Sequence, residues 1–221
     1  MFKKPRTITL NACLALLWLY SAYLNVQSFL VYHNPAVLLF ILFQTEFAFL
    51  MIIRKDTIVS SKNPLDYVVA ITGTFIVFLY RPVIPVEHST VLDGFLGDAL
   101  DGANILSAAT IAGNALIYIS AIWEIFGFVS LNRSAGIVPA NRGIKTGGLY
   151  KVVRHPIYLG SMILYIGYSL LNPSFYNMCI LLAGMCLQIA RIYREEKVLI
   201  QDAKYREYTQ RVKWRLIPGV F

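Results

Sequence analysis

Residues 8–31 run for 24 positions without one charged side chain. A helix needs about 20 mostly apolar residues to cross the hydrocarbon layer of a bilayer. Five further stretches repeat the pattern with at most one charge each: residues 35–53, 64–79, 103–129, 156–171 and 173–192. Turn residues mark several boundaries, among them His33-Asn34-Pro35, Ser61-Lys62-Asn63-Pro64 and Asn172-Pro173. Proline suits a first helical turn, where its missing N–H has no partner in any case. The Asn172-Pro173 link is so short that the fifth and sixth stretches are expected to form a tight antiparallel hairpin. The first stretch is too long for a signal peptide and ends without a small-residue cleavage site, so it reads as a retained helix.

Composition agrees. The chain of 221 residues is 57% hydrophobic and 14% charged, where soluble domains average roughly 45–50% and 25%. So short a chain cannot hide that excess in a core of its own, and the low charge excludes a disordered polypeptide. The expected fold is all-α: a polytopic membrane helix bundle of about six transmembrane helices, with a cytosolic loop and an amphipathic C-terminal helix. One membrane domain covers residues 1–221, divided into N-terminal helices (1–102) and a half carrying the polar segments (103–221).

The net charge of +8 reports topology. Every Lys and Arg except Arg81 lies before the first stretch, between the second and third, between the fourth and fifth, or from Arg191 onward. The loop between the third and fourth holds Glu87, Asp93, Asp98 and Asp101. The positive-inside rule then places both termini in the cytoplasm, of a bacterial inner membrane or an endoplasmic reticulum alike. No nucleic-acid motif is present. Cys13, Cys179 and Cys186 lie in apolar runs with no CxxC spacing or Cys/His cluster, so neither a disulfide scaffold nor a metal site is expected.

Polar chemistry gathers in two places. The loop reads SLNRSAGIVPANRGIKTGGLYKVVRHPIYLG and meets the fifth stretch at Arg154-His155-Pro156. There the free N–H groups and dipole of a helix start favour an anion, and Arg154 adds a forked donor for carboxylate or phosphate. The plain alternative has Arg154 snorkelling to anionic lipid. Gly147-Gly148 fits a flexible turn or a close backbone approach. The second place is QIARIYREEKVLIQDAKYREYTQRVKWRLIPGVF. Arg191 stands four residues before Glu195, the spacing of a local ion pair; Glu196 points about 100° away and is free to face the Arg154 corner. Val198, Leu199, Tyr205, Tyr208 and Val212 recur at near-helical spacing, which reads as an amphipathic helix on the cytosolic face with the tyrosines as interfacial anchors. Trp214, Leu216, Ile217 and Val220-Phe221 can dip into the interface or cap a cavity. Glu46 and Glu124 lie within apolar stretches, where carboxylates normally face a bundle interior or a polar cavity; Glu124 can also reach headgroup water.

Arg154-His155-Pro156-x-Tyr158-x-Gly160, then Glu195-Glu196-x-x-Leu199, Tyr205-x-x-Tyr208 and Ile217-Pro218, resembles the isoprenylcysteine carboxyl methyltransferase family and its phospholipid methyltransferase relatives. The resemblance covers roughly residues 130–221. It implies an integral membrane enzyme using S-adenosylmethionine, with a cytosolic cofactor pocket and a tunnel from the bilayer. It implies that His155, Tyr158, Gly160, Glu195, Tyr205 and Tyr208 bind the cofactor and that Arg154 and Glu196 are catalytic, at the junction with a lipid-like or small apolar acceptor. An amine or thiol acceptor must lose a proton, for which Glu196 is the candidate base; a carboxylate acceptor needs none and would be positioned by Arg154. The stretch between Leu199 and Tyr205 is shorter than in the prenylcysteine enzymes and lacks their Phe-Gly pair, which leaves the acceptor open. A sterol-reductase-like membrane reductase using NADPH, or a transporter or assembly protein without catalysis, are the competing classes. Oligomeric state is not legible.

Overall fold

The computed structural model describes residues 5–32, 36–80 and 102–221. The acidic loop, Arg81 and the His33-Asn34-Pro35 turn lie outside them. In chain order come α1 (Pro5–Tyr32), α2 (Ala36–Ile53), β1 (Val59–Ser60), α3 (Pro64–Phe75) running into a 3₁₀ turn (Ile76–Leu79), α4 (Gly102–Leu131), β2 (Ala140–Asn141), α5 (Pro156–Leu171), α6 (Phe175–Leu199) and α7 (Ala203–Arg211). Among the described residues the fold is all-α apart from one antiparallel two-residue ladder, Val59 opposite Asn141.

Helix starts follow local chemistry. The Asn63 side chain accepts from the Leu65 N–H, with Pro64 in the first turn. Ser174 caps α6 by accepting from the Asn177 N–H, directly after the short link from α5. Asp202 caps α7 through the Lys204 N–H. That cap breaks the tail: α6 ends at Leu199 and α7 begins afresh at Ala203, instead of one continuous amphipathic helix.

Among the described residues two helices are long and apolar enough to cross a membrane, Ala108–Ser134 and Phe175–Leu199; Val37–Ile53, Pro64–Leu79 and Pro156–Leu171 are shorter apolar helices. The bundle is turned inside out relative to a soluble protein. Leu16, Leu42, Phe49, Ile111, Phe126 and Leu182 point outward, while Gln44, Glu124, Asn177, Gln188 and Arg191 are buried. Large exposed apolar faces call for an apolar solvent.

Small residues and rings set the packing. At the α4–α5 crossing a Cβ on Gly113 would lie 3.0 Å from the Gly167 carbonyl, and one on Gly167 would lie 3.0 Å from the Gly113 carbonyl. Such glycine contacts let helix backbones approach where lipid gives no hydrophobic drive. Trp18 of α1 meets Phe47 of α2 edge-on at 4.9 Å, and Phe47 meets Phe128 of α4 at 5.0 Å. Tyr165 of α5 is bound by the Gln188 amide of α6 at 2.8 Å, and its hydroxyl donates to the Gly73 carbonyl of α3.

Candidate active site

The loop after α4 arrives at Arg154-His155 and turns into α5 at Pro156. The N–H groups of Arg154 and His155 donate to the carbonyls of Trp214 and Arg215, both at 2.9 Å. The segment after α7 thus folds back against the start of α5, and Leu216 is buried with Met162 and Ile192. Of the two expectations for this tail, the structure shows Leu216 packed inside. Trp214, Ile217 and Val220 stay exposed.

Glu196 stands on the part of α6 beyond the apolar stretch that ends at residue 192, and it gathers this corner. Its Oε1 faces Arg154 Nη2 and His155 Nε2, each at 3.1 Å, and accepts from the Tyr205 hydroxyl at 3.3 Å; Arg215 Nε donates to Oε2 at 2.9 Å. Burial alone would raise this carboxyl, but the His155 hydrogen bond and charge, Arg154 and Arg215 outweigh it and hold it at about 2. The spacing argument that turned Glu196 toward Arg154 agrees with this geometry.

Glu195 faces another way. Its Oε2 accepts from the Tyr158 hydroxyl at 2.6 Å. Arg191 does not make the local pair that its spacing suggests. Its Nη1 donates to Gln188 Oε1 at 3.1 Å, and its guanidinium carbon lies 4.8 Å from the centre of the Tyr158 ring. Gly73 makes room for its stem: a Cβ there would sit 2.7 Å from Arg191 Cδ.

Tyr205 and Tyr208 are 3% and 2% exposed, so they are not interfacial anchors. The break at Ile200–Asp202 turns α7 inward and buries its tyrosine face. The Tyr208 hydroxyl donates to the Tyr150 carbonyl at 2.7 Å. Burial, with the charge of Glu196, pushes both phenols well up, so they act as neutral donors.

Gly160 lies behind the wall of the site. A Cβ there would fall 2.5 Å from Glu124 Cγ, so this glycine lets α4 and α5 close around the Glu124 side chain. Glu124 is 4% exposed and accepts from the Ser161 hydroxyl at 2.6 Å, which excludes the headgroup-water alternative. Glu46 does not reach the cavity described next. At Gly147-Gly148 the close approach is to protein: Gly148 has φ +58°, and a Cβ there would strike Ser130 Oγ.

These groups surround one cavity of about 1220 Å³, its open mouth included. At the loop end it is lined by Arg142, Lys145, Tyr150, Arg154, His155, Tyr205 and Tyr208. Tyr158, Glu195, Arg191, Gln188, Glu124 and Ser161 also line it, as do Thr74, Val77 and an aromatic chamber of Trp18, Phe43, Phe47 and Phe128. Glu196 sits just outside this wall and holds it. Sequence reasoning missed Arg191 as a wall residue, and it missed Arg142 and the aromatic chamber entirely. The one available signal was Arg191 itself, a cation at the edge of an apolar run.

Residues 103–205 match the phospholipid methyltransferase family. That segment contains α4, the loop, α5, α6 and the start of α7, hence most of the polar cavity wall. The match bears out the resemblance read from the Arg154, Glu195 and Tyr205 motifs. The matched segment therefore resembles membrane methyltransferases of that family. No curated protein matches the chain.

Proposed function

We propose that this chain is an integral membrane methyltransferase that uses S-adenosylmethionine to methylate a lipid-like or small apolar acceptor. The observation that carries the reading is that one cavity is lined both by charged and tyrosine side chains and by an aromatic chamber. A polar cofactor and an apolar acceptor would enter such a space from opposite sides. Six membrane-crossing helices with cytosolic termini fit the charge distribution and put the polar end on the cytosolic side.

The donor set suits the cofactor. Arg154 Nε is buried without a hydrogen-bond partner, beside the neutral phenols of Tyr205 and Tyr208 and the ring of His155. Tyr158 and Glu195 would complete that wall. Bound there, the cofactor supplies a methyl group on a sulfonium sulfur. The protein holds the acceptor in line and keeps water away, which accounts for much of such a rate.

Glu196 is then a positioning residue. Two guanidinium groups, an imidazole and a phenol occupy its oxygens and it stays ionised, so it makes a poor base. When the acceptor is an amine or thiol, its proton meets Glu195 or Glu124, the carboxylates that face the cavity. The test is calorimetry of S-adenosylmethionine and S-adenosylhomocysteine with the detergent-purified chain and with Arg154→Ala and His155→Ala. Saturable binding that weakens in either variant supports the reading. A folded wild type that binds neither overturns it.

A further inference from the structure

Arg142, in the cavity wall, finds no ion-pair partner among the described residues. Arg142 directly follows β2 and is 9% exposed. Its Nε is buried without a hydrogen bond, and no described carboxylate pairs with its guanidinium. A buried charge is costly unless something pairs with it.

The position is built. The Ile58 N–H donates to the Asn141 carbonyl at 2.8 Å. The Asn141 side chain accepts from the Gly143 N–H and donates to Asp202, both at 2.8 Å, and the Ser134 hydroxyl donates to the Arg142 carbonyl at 3.2 Å. The backbone on both sides of Arg142 is therefore fixed to neighbouring elements. Gly136 lies against the guanidinium, and a Cβ there would strike Nη1. A second buried guanidinium, Arg54, stands near enough for its charge to act on Arg142. Burial and then Arg54 bring Arg142 down to about 10, against the opposing pull of Glu195 and Tyr67. A buried guanidinium in the cavity wall, with a second one nearby, favours an anion there.

We propose that Arg142 binds a carboxylate or phosphodiester oxyanion inside the cavity, supplied by the amino-acid end of the cofactor or by the headgroup of a phospholipid acceptor. Both sources rest on the methyltransferase reading. The planar fork of an arginine matches either oxyanion through two parallel N–H donors.

The experiment labels Arg142 of the full chain with phenylglyoxal, read by mass spectrometry, and measures binding to wild type, Arg142→Gln and Arg142→Lys. The probes are S-adenosylhomocysteine, its decarboxylated analogue, and vesicles of dioleoylphosphatidylethanolamine in phosphatidylcholine. If the cofactor carboxylate is the partner, S-adenosylhomocysteine protects Arg142. Removing the carboxylate then weakens wild-type binding by about 10- to 100-fold, while Arg142→Gln binds both forms equally. If the lipid headgroup is the partner, the phosphatidylethanolamine vesicles protect Arg142 beyond phosphatidylcholine alone, and Arg142→Gln keeps wild-type affinity for S-adenosylhomocysteine. Arg142→Lys retains part of the affinity in either arm. Equal labelling with and without every probe overturns the proposal, and this wild-type readout does not depend on whether a variant folds. A wild type that binds no S-adenosylhomocysteine overturns the methyltransferase reading instead, leaving the lipid arm to judge Arg142.

Discussion

Arg154 Nη2 and Glu196 Oε1 meet at 3.1 Å where the loop before α5 reaches the end of α6, and both side chains are largely buried. The same carboxylate holds His155 and Arg215. Removing it leaves two guanidinium groups and the His155 ring without their shared acceptor. Glu196→Ala is therefore expected to cost roughly 3 kcal/mol, the scale of breaking a buried pair. Glu196→Gln should recover only part, because an amide keeps the shape without the charge. Thermal unfolding in detergent measures both, and a wild-type melting temperature in Glu196→Ala would contradict the network.

Acid should weaken the same corner. A carboxyl held at about 2 in the fold and near 4.5 when unfolded favours the native state at every pH above 4.5. Its contribution falls away as the pH drops from about 4.5 toward 2. Wild type should lose stability steeply across that window, and Glu196→Gln should lose less. Identical pH profiles for the two proteins would assign acid sensitivity to other carboxyls.

Tyr158→Phe deletes the 2.6 Å hydrogen bond to Glu195 and leaves the ring against Arg191. We expect S-adenosylhomocysteine affinity to fall by about 10-fold, the scale of a bond to a charged group, with little change in melting temperature. Unchanged affinity would remove Tyr158 and Glu195 from the cofactor wall.

Gly160→Ala should destabilise by about 1–3 kcal/mol, as overpacking does, because the new methyl meets Glu124 Cγ. Combining it with Glu124→Ala should be clearly less than additive. Strict additivity in a double-mutant cycle would mean that Glu124 is not what excludes a side chain at position 160.

Val77→Trp adds an indole to the apolar part of the cavity lining and alters no residue of the loop before α5. Acceptor KM should rise by at least about 10-fold with cofactor affinity unchanged, since the lost binding falls on one ligand. A rise in both would mean that the two ends do not act as separate compartments.

Much of the helical framework was legible because apolar runs and their flanking Asn, Ser and Pro residues are local signals. The Arg154–Glu196 meeting was also legible, from a helix start and a helical phase angle. Burial of Tyr205 and Tyr208 was not, since an inward and a lipid-facing tyrosine stripe have the same spacing. Arg191 was misread because its four-residue offset from Glu195 is the pattern of an ordinary surface pair. Arg142 looked like one more cytosolic positive charge. Trp18, Phe43 and Phe47 looked like any aromatic residues in lipid, because chamber walls form only when distant helices meet.

The ladder that sets Val59 opposite Asn141 bears on the order of assembly. It closes a loop of roughly eighty residues, so its formation carries a large entropic cost before any contact repays it. Insertion of each apolar helix needs no such closure. The β1–β2 ladder that holds Arg142 is therefore expected to close after the helices have inserted. A substitution that weakens β1, such as proline at Val59, should yield chains that insert normally yet mature slowly into a binding-competent form.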